Sequence, residues 1–217
     1  MLQANASETD KTVFISSDLV ISLMPCLFQD LKNVTLKVEG TILQSLNHLQ
    51  YPHGGNRGDN TSRSEEPYNA LFHFEQCEDV TLGGNGTIEG QGFKWWVREF
   101  LGKNEYQRPY MVYFHLSRFV EVNDLLIRNA PYYHVVFDDC EFVSMQDAEI
   151  FVDIWGQLSL HQFFGTEYEM VNYGQYTLEV PIFPLNTDGI DIWAKNVNIK
   201  RVKVTNFDDA IVPKPSN

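Results

Sequence analysis

Five segments of the chain share one pattern: a polar residue or two, then an aromatic, Asn or Asp, then a valine, then apolar residues alternating with polar ones. They read LKNVTLKVEGTI, CEDVTLGGNGTI, LSRFVEVNDLLI, CEFVSMQDAEI and AKNVNIKRVKV, anchored at Val34, Val80, Val120, Val143 and Val197. A period of two puts alternate side chains on one face, so each segment predicts a short β-strand with one side buried. Gly, Asn and Asp punctuate the segments as turn residues. The anchors stand 46, 40, 23 and 54 residues apart. These gaps read as one or two turns of a unit of roughly 20 to 25 residues, the last stretched by an insertion, which is how a stacked solenoid declares itself. No stretch carries helical periodicity beyond two turns, which removes α/β sheets and helical bundles. An all-β parallel β-helix is therefore the expected fold. A β-sandwich is the rival, but it predicts hairpins with two-residue turns, and those are scarce.

Between Val152 and Leu185 the alternation breaks into an aromatic-rich excursion, at about 153–185. There Trp155, Phe163, Phe164, Tyr168, Tyr173 and Tyr176 either pack against the solenoid body or form a cleft wall on which sugar rings stack. Trp95 and Trp96 lie far from the later motifs and are expected to serve core or end packing.

Of the 217 residues, 43% are hydrophobic and 21% charged, the composition of a globular chain with a core. Sixteen basic against twenty-nine acidic residues give a net charge of -13. Nucleic-acid surfaces need clustered Lys and Arg, so that class of partner is excluded. An anionic substrate would need a local basic patch. No apolar run is long enough for a membrane-spanning helix. The start, MLQANASETDKT, lacks the apolar stretch of a signal peptide, so a secreted form would need a leader that this sequence does not contain. Cys26, Cys77 and Cys140 show no C-x-x-C spacing; one disulfide and a spare thiol remain open. Sequons at Asn5, Asn33, Asn60 and Asn85 suit a glycosylated, secreted chain.

Four aspartates crowd the stretch NTDGIDIWAKNVNIKRVKVTNFDDAIV. Asp188 and Asp208 are 20 residues apart, one coil on the expected period, so Asp188 should lie beside Asp208 and Asp209 on neighbouring strands about 4.8 Å apart. Carboxylates gathered without basic partners repel, which raises at least one pKa and lets a protonated group stand beside an ionised one. A glycosidase needs that arrangement. Asn186 and Asp191 also suit stacked, hydrogen-bonded corner turns, the favoured reading for Asp191. Calcium binding by the cluster is a further alternative, though no D-x-D-x-D-G loop is present.

NTDGID followed one coil later by DDAI resembles glycoside hydrolase family 28, the polygalacturonases and their relatives. Upstream, VEGTILQS and YP resemble the first coils of that family, GNGTIEGQGFKWW its early stretch, and RPYMVYFHLSRFVEVNDLLIRNAPYYHVVFDDC its central coils. The likeness runs from about Val13 to Ser216. It implies a single-stranded right-handed parallel β-helix that hydrolyses pectin-type glycosidic bonds with inversion, as a secreted monomer without cofactor or metal. It also implies that Asp208 is the general acid, that Asp188 and Asp209 activate the attacking water, and that Asn186 and Lys214 meet the substrate, Lys214 through a substrate carboxylate. Inverting acid and base usually stand roughly 6.5 to 9.5 Å apart; adjacent coils imply less, so spacing alone points to retention. Arg108, His134 and His161 match no catalytic position.

The chain departs from the family at Phe207, where Gly or Gln is usual, and at Ala210, where Cys is usual; the insertion before Asn186 is also longer. These changes fit a branch acting on another acidic or decorated polysaccharide. The sequence ends at Asn217, before the histidine and the Arg-x-Lys that complete the family's catalytic region, so residues 1–217 are expected to form one incomplete β-helix domain. A non-catalytic polysaccharide-binding solenoid is the competing class, and a calcium-dependent lyase of the same fold a weaker third.

Overall fold

A computed structural model of the chain describes residues 1–47, 50–51, 70–104, 107–154 and 184–215. A short helix, α1 (Leu2–Ala6), precedes the first coil, which is β1 (Thr12–Ile15), β2 (Val20–Leu23) and β3 (Cys26–Gln29). The second coil is β4 (Lys32–Val38), β5 (Thr41–Gln44) and β6 (Ala70–Glu75). The third is β7 (Glu78–Gly83), β8 (Thr87–Glu89) and, after the helix α2 (Phe93–Phe100), β9 (Tyr110–His115). The fourth is β10 (Arg118–Asn123), β11 (Leu126–Arg128) and the start of β12 (Val135–Gln146). The fifth takes the rest of β12, β13 (Glu149–Phe151) and the start of β14 (Ile190–Lys200). The rest of β14, β15 (Lys203–Thr205) and β16 (Ile211–Pro213) make the sixth.

Successive coils pair in parallel on three faces, giving the right-handed parallel β-helix that the alternation and the resemblance lead one to expect. The first face carries β1, β4, β7, β10 and the later halves of β12 and β14. The second carries β2, β5, β8, β11, β13 and β15. The third carries β3, β6, β9, the starts of β12 and β14, and β16. β12 turns the corner between faces at a register shift between Asp138 and Cys140, where Asp139 is left-handed at φ 48°.

The anchor valines form one column, Val34 against Val80, Val80 against Val120, Val120 against Val143 and Val143 against Val197. Each gap is thus a single coil, including those of 46 and 40 residues, which the sequence reading allowed to be two. The surplus lies between β5 and β6 and between β8 and β9, where α2 sits. Chain that leaves the stack at a corner and returns to it does not disturb the ladder, so spacing along the sequence overcounts coils.

The residue before each anchor explains the mixed pattern there. Asn33, Asp79, Phe119, Phe142 and Asn196 all have positive φ, between 54° and 57°. Asn and Asp tolerate this conformation. Phe119 and Phe142 stack on each other, with centroids 4.9 Å apart, and the Arg118 guanidinium lies over both rings; those contacts offset the backbone strain.

Inside the coils, Ile21, Ile42, Ile88, Ile127 and Ile150 stack along the second face. Phe28, Phe74, Phe114 and Phe137 stack along the third, with centroids 5.1, 4.6 and 5.5 Å apart. The three cysteines are free thiols, which closes the question of a disulfide among them. Cys77 and Cys140 are buried at the corner between the third and first faces, and burial pushes the Cys140 thiol up to about 12. α2 is an element the sequence reading did not anticipate; at eight residues it is too short to build up a helical period. It buries Trp95 and Trp96, as their packing role requires, and the Trp96 indole N–H donates to the Ala130 carbonyl at 3.0 Å. Among the described residues no helix is long and apolar enough to cross a membrane. Asn33 and Asn85 are exposed, whereas Asn5 is half-buried and bonded to the Asp30 carbonyl and the Lys32 N–H. Asn60, His161 and the aromatic residues expected to line a cleft from Trp155 to Tyr176 lie outside the described residues.

Phe114 sits in the middle of the phenylalanine column and is fully buried. Phe114→Ala should destabilise the fold by about 3–5 kcal/mol, read as a lower urea midpoint, while Phe142→Ala on the outer surface should cost far less.

Candidate active site

The acidic segment is set by pairing between β14 and β16, where Ile190 lies opposite Ile211 and Asp191 opposite Val212. Ahead of the strands, the Gly189 N–H donates to the Asp209 carbonyl at 2.9 Å and the Ile190 N–H to the Ala210 carbonyl at 3.1 Å. The offset is 21 residues rather than the 20 taken from the sequence, so Asp188 aligns with Asp209, and Asp208 stands one step diagonal to it. Gly189 makes the close approach feasible: a Cβ there would collide with the Ala210 carbonyl oxygen. The carboxylates of Asp188, Asp208 and Asp209 bring an oxygen each within 4.8 Å of the others.

Backbone and side-chain bonds lock the two acidic segments together. Asp208 accepts the Asn186 N–H at 2.9 Å and the Asp209 N–H at 3.0 Å. The Thr187 hydroxyl donates to the Pro184 carbonyl and accepts the Phe207 N–H, while the Asn206 amide donates to the Thr187 and Asp209 carbonyls. Phe207, the departure noted in sequence, packs against the small cluster of Trp96, Val97 and Val152 and so ties this turn to α2.

Asp208 and Asp209 are exposed, but Asp188 is 7% exposed and its Oδ1 has no hydrogen-bond partner among the described residues. Burial first, then the charges of Asp191, Asp208 and Asp209, push Asp188 up to about 7. It therefore holds a proton below neutral pH in the midst of three other carboxylates. Asp191, favoured as a corner residue, instead lies within β14 between the core residues Ile190 and Ile192, and is fully buried. The misreading is one of position, since the corner falls at Asn186, whose φ is 58°. Lys214 meets Asp191 Oδ2 at 2.7 Å, and its ammonium lies 3.9 Å from the centre of the Trp193 ring. Burial raises Asp191 while Lys214 opposes the rise. In this state Lys214 is engaged with Asp191 rather than free to meet a substrate. Asn186 is similarly occupied, its side-chain oxygen taken by Arg108.

Two residues that the sequence left without a role turn out to position this segment. The buried Arg108 donates to the carbonyls of Pro131 and Leu185, both at 2.9 Å, and to Asn186 Oδ1 at 3.0 Å. Fully buried His134 directs both its backbone N–H and its ring Nδ1 at the Asp188 carbonyl, each at 3.0 Å, while Nε2 accepts the Ala130 N–H. That pattern requires the Nδ1–H tautomer, and burial holds the ring neutral by lowering its pKa to about 4. Both act on partners 54 to 78 residues distant, which no local motif announces. An aromatic group also stands beside the aspartates, built by residues outside the 153–185 stretch. Tyr110, Tyr132 and Tyr133 stack with centroids 4.2 to 5.5 Å apart and join Tyr113 and Trp193 in one cluster.

The sequence profile of glycosyl hydrolases family 28 matches residues 21–216. A polygalacturonase of Chamaecyparis obtusa is 30% identical over 147 residues, covering 64% of this chain and 23% of that protein. One of Juniperus ashei is 29% identical over 147 residues, with 64% and 24% covered. The chain thus spans about a quarter of the length of these relatives. In structure, it is similar to a hyperthermoactive exopolygalacturonase from Thermotoga maritima, with a TM-score of 0.69 at 19% identity, over 99% of this chain and 49% of that one. That likeness speaks to the fold.

The raised pKa of Asp188 has a definite sign in stability. Below about pH 4 the group is protonated both folded and unfolded; between about 4 and 7 only the unfolded chain releases the proton, so stability falls as pH rises through that window. The melting temperature of Asp188→Asn should match wild type near pH 4 and exceed it by a margin that grows up to about pH 7. A margin independent of pH would contradict the assignment.

Proposed function

Because the chain belongs to glycosyl hydrolases family 28, we propose that it is the part of a pectin-directed glycoside hydrolase that carries the catalytic carboxylates. The observation that carries the reading is the stacking of buried, proton-holding Asp188 against exposed Asp208 and Asp209 beside a wall of tyrosines. Hydrolysis of a glycosidic bond needs a proton for the leaving oxygen and a base for the attacking water. A trio of carboxyl groups that shares fewer protons than groups supplies both.

Asp208 is the general acid, and Asp188 and Asp209 activate the water. With burial favouring the proton on Asp188 in the open site, these roles require the proton to reach Asp208 once substrate is bound. The carboxylates lie within hydrogen-bonding reach of one intervening water, which suits such a transfer. Asn186 and Lys214 flank the bond to be cleaved, and Lys214 must exchange Asp191 for a substrate carboxylate to contribute its charge. The aromatic wall offers the apolar faces of sugar rings a surface on which to stack. The close spacing of the trio falls below the roughly 6.5 to 9.5 Å of most inverting sites, while family membership supports inversion; the anomer first released decides between them.

The same reading places the protein outside the cell, as a monomer acting on pectin or a related acidic glycan. With a net charge of -13 it offers little to nucleic acid or an anionic membrane surface.

In the complete protein, Asp208→Asn should lower the release of reducing ends from polygalacturonate by about 10²–10⁴-fold while leaving the circular dichroism spectrum unchanged. Activity of the wild type should persist in EDTA and yield no unsaturated ends. Retained activity in Asp208→Asn would overturn the acid assignment. Polysaccharide binding with no reducing ends from the complete wild-type protein would favour the non-catalytic solenoid.

A further inference from the structure

The third face carries a second group of chemistry-bearing side chains, nearer the N-terminal end of the stack. Along β6, Phe72 and Phe74 enter the core, so His73 and Glu75 point outward between and beyond them. Pairing with β9 sets His73 opposite Tyr113 and Glu75 opposite His115. Glu75 Oε2 lies 3.1 Å from His73 Nε2 and 2.9 Å from His115 Nδ1, so one carboxylate oxygen stands between two imidazole nitrogens. The three residues each bring a ligand atom within 4.8 Å of the others.

The surroundings hold these groups in place. The Tyr113 ring meets His73 edge-on at 4.9 Å and lies 5.9 Å from His115, while its hydroxyl donates to Asp138 Oδ2 at 2.7 Å. His73 is buried, which fixes its ring against Tyr113 and Glu75. The side chains of Glu75 and His115 are 17% and 30% exposed, which leaves one side of the group open to solvent.

We propose that His73, Glu75 and His115 form a binding site for a divalent transition metal of the zinc type. Two imidazoles and a carboxylate are a donor set that zinc and its neighbours take readily, with a fourth position left for water or an exogenous anion; calcium and magnesium prefer all-oxygen shells. The ion replaces the two hydrogen bonds that Glu75 makes to the rings and clips β6 of the second coil to β9 of the third. Its effect is to stabilise the early coils.

The test is a titration of the metal-free 217-residue chain with Zn²⁺ in competition with a chromophoric chelator, followed by Co²⁺ absorption and melting. One ion per chain is expected, with cobalt bands of a four- or five-coordinate site and a melting temperature raised by roughly 5 °C at a hundredfold excess over Kd. His115→Ala and Glu75→Gln, both at partly exposed positions that spare the buried His73, should each weaken binding at least about tenfold and abolish the shift. Asp188→Asn should leave it unchanged. Absence of binding, or binding that survives His115→Ala but is lost in Asp188→Asn, would overturn the site.

Discussion

Parallel pairing between consecutive coils puts residues one coil apart into columns about 4.8 Å apart, and a slip of one residue would turn each column inside out. Every other feature of this molecule follows from that constraint. The valine, isoleucine and phenylalanine columns fill the interior because like residues recur in register. The same register stacks the left-handed positions that precede the valines, so the chain has to place there a residue that tolerates positive φ or one that gains a stacking partner. Connections of very different length leave the register unchanged because they leave the stack at its corners.

The acidic site uses the same ladder against its own stability. Four aspartates gather at the paired ends of β14 and β16, and among the described residues Lys214 is the cation seen to bond to one of them. The remaining repulsion falls on Asp188, which is buried with an oxygen that has no partner among the described residues. The fold holds it there through backbone groups: two donors of His134 on its carbonyl, and Gly189 drawn up against Ala210. Arg108 fixes the preceding residues from the far side. Such local strain within an otherwise consistent structure is what a site adapted to hold a proton near neutral pH requires.

Strand alternation, the anchor columns and the stacking of Asp188 on the Asp208–Asp209 pair were legible in the sequence, because each is carried by short-range spacing or by one coil without insertions. The coil count was not, since the long connections before β6 and β9 look like extra turns when only residues are counted. The register of the site was legible to within one residue, and that residue decides whether Asp208 or Asp209 aligns with Asp188. Asp191 was misplaced because sequence does not mark where a corner ends and a strand begins. The roles of Arg108 and His134 and the stack of Tyr110, Tyr132 and Tyr133 depend on tertiary contacts across tens of residues.

The most direct measurement is a titration of the aspartate side-chain carboxyls by ¹³C NMR from pH 3 to pH 9. The account predicts one carboxyl, assigned to Asp188, that releases its proton near pH 7. If every aspartate in the cluster were ionised by about pH 5, an ordinary range for the side chain, the stacked carboxylates would not be sharing a proton and the catalytic reading of the site would fail.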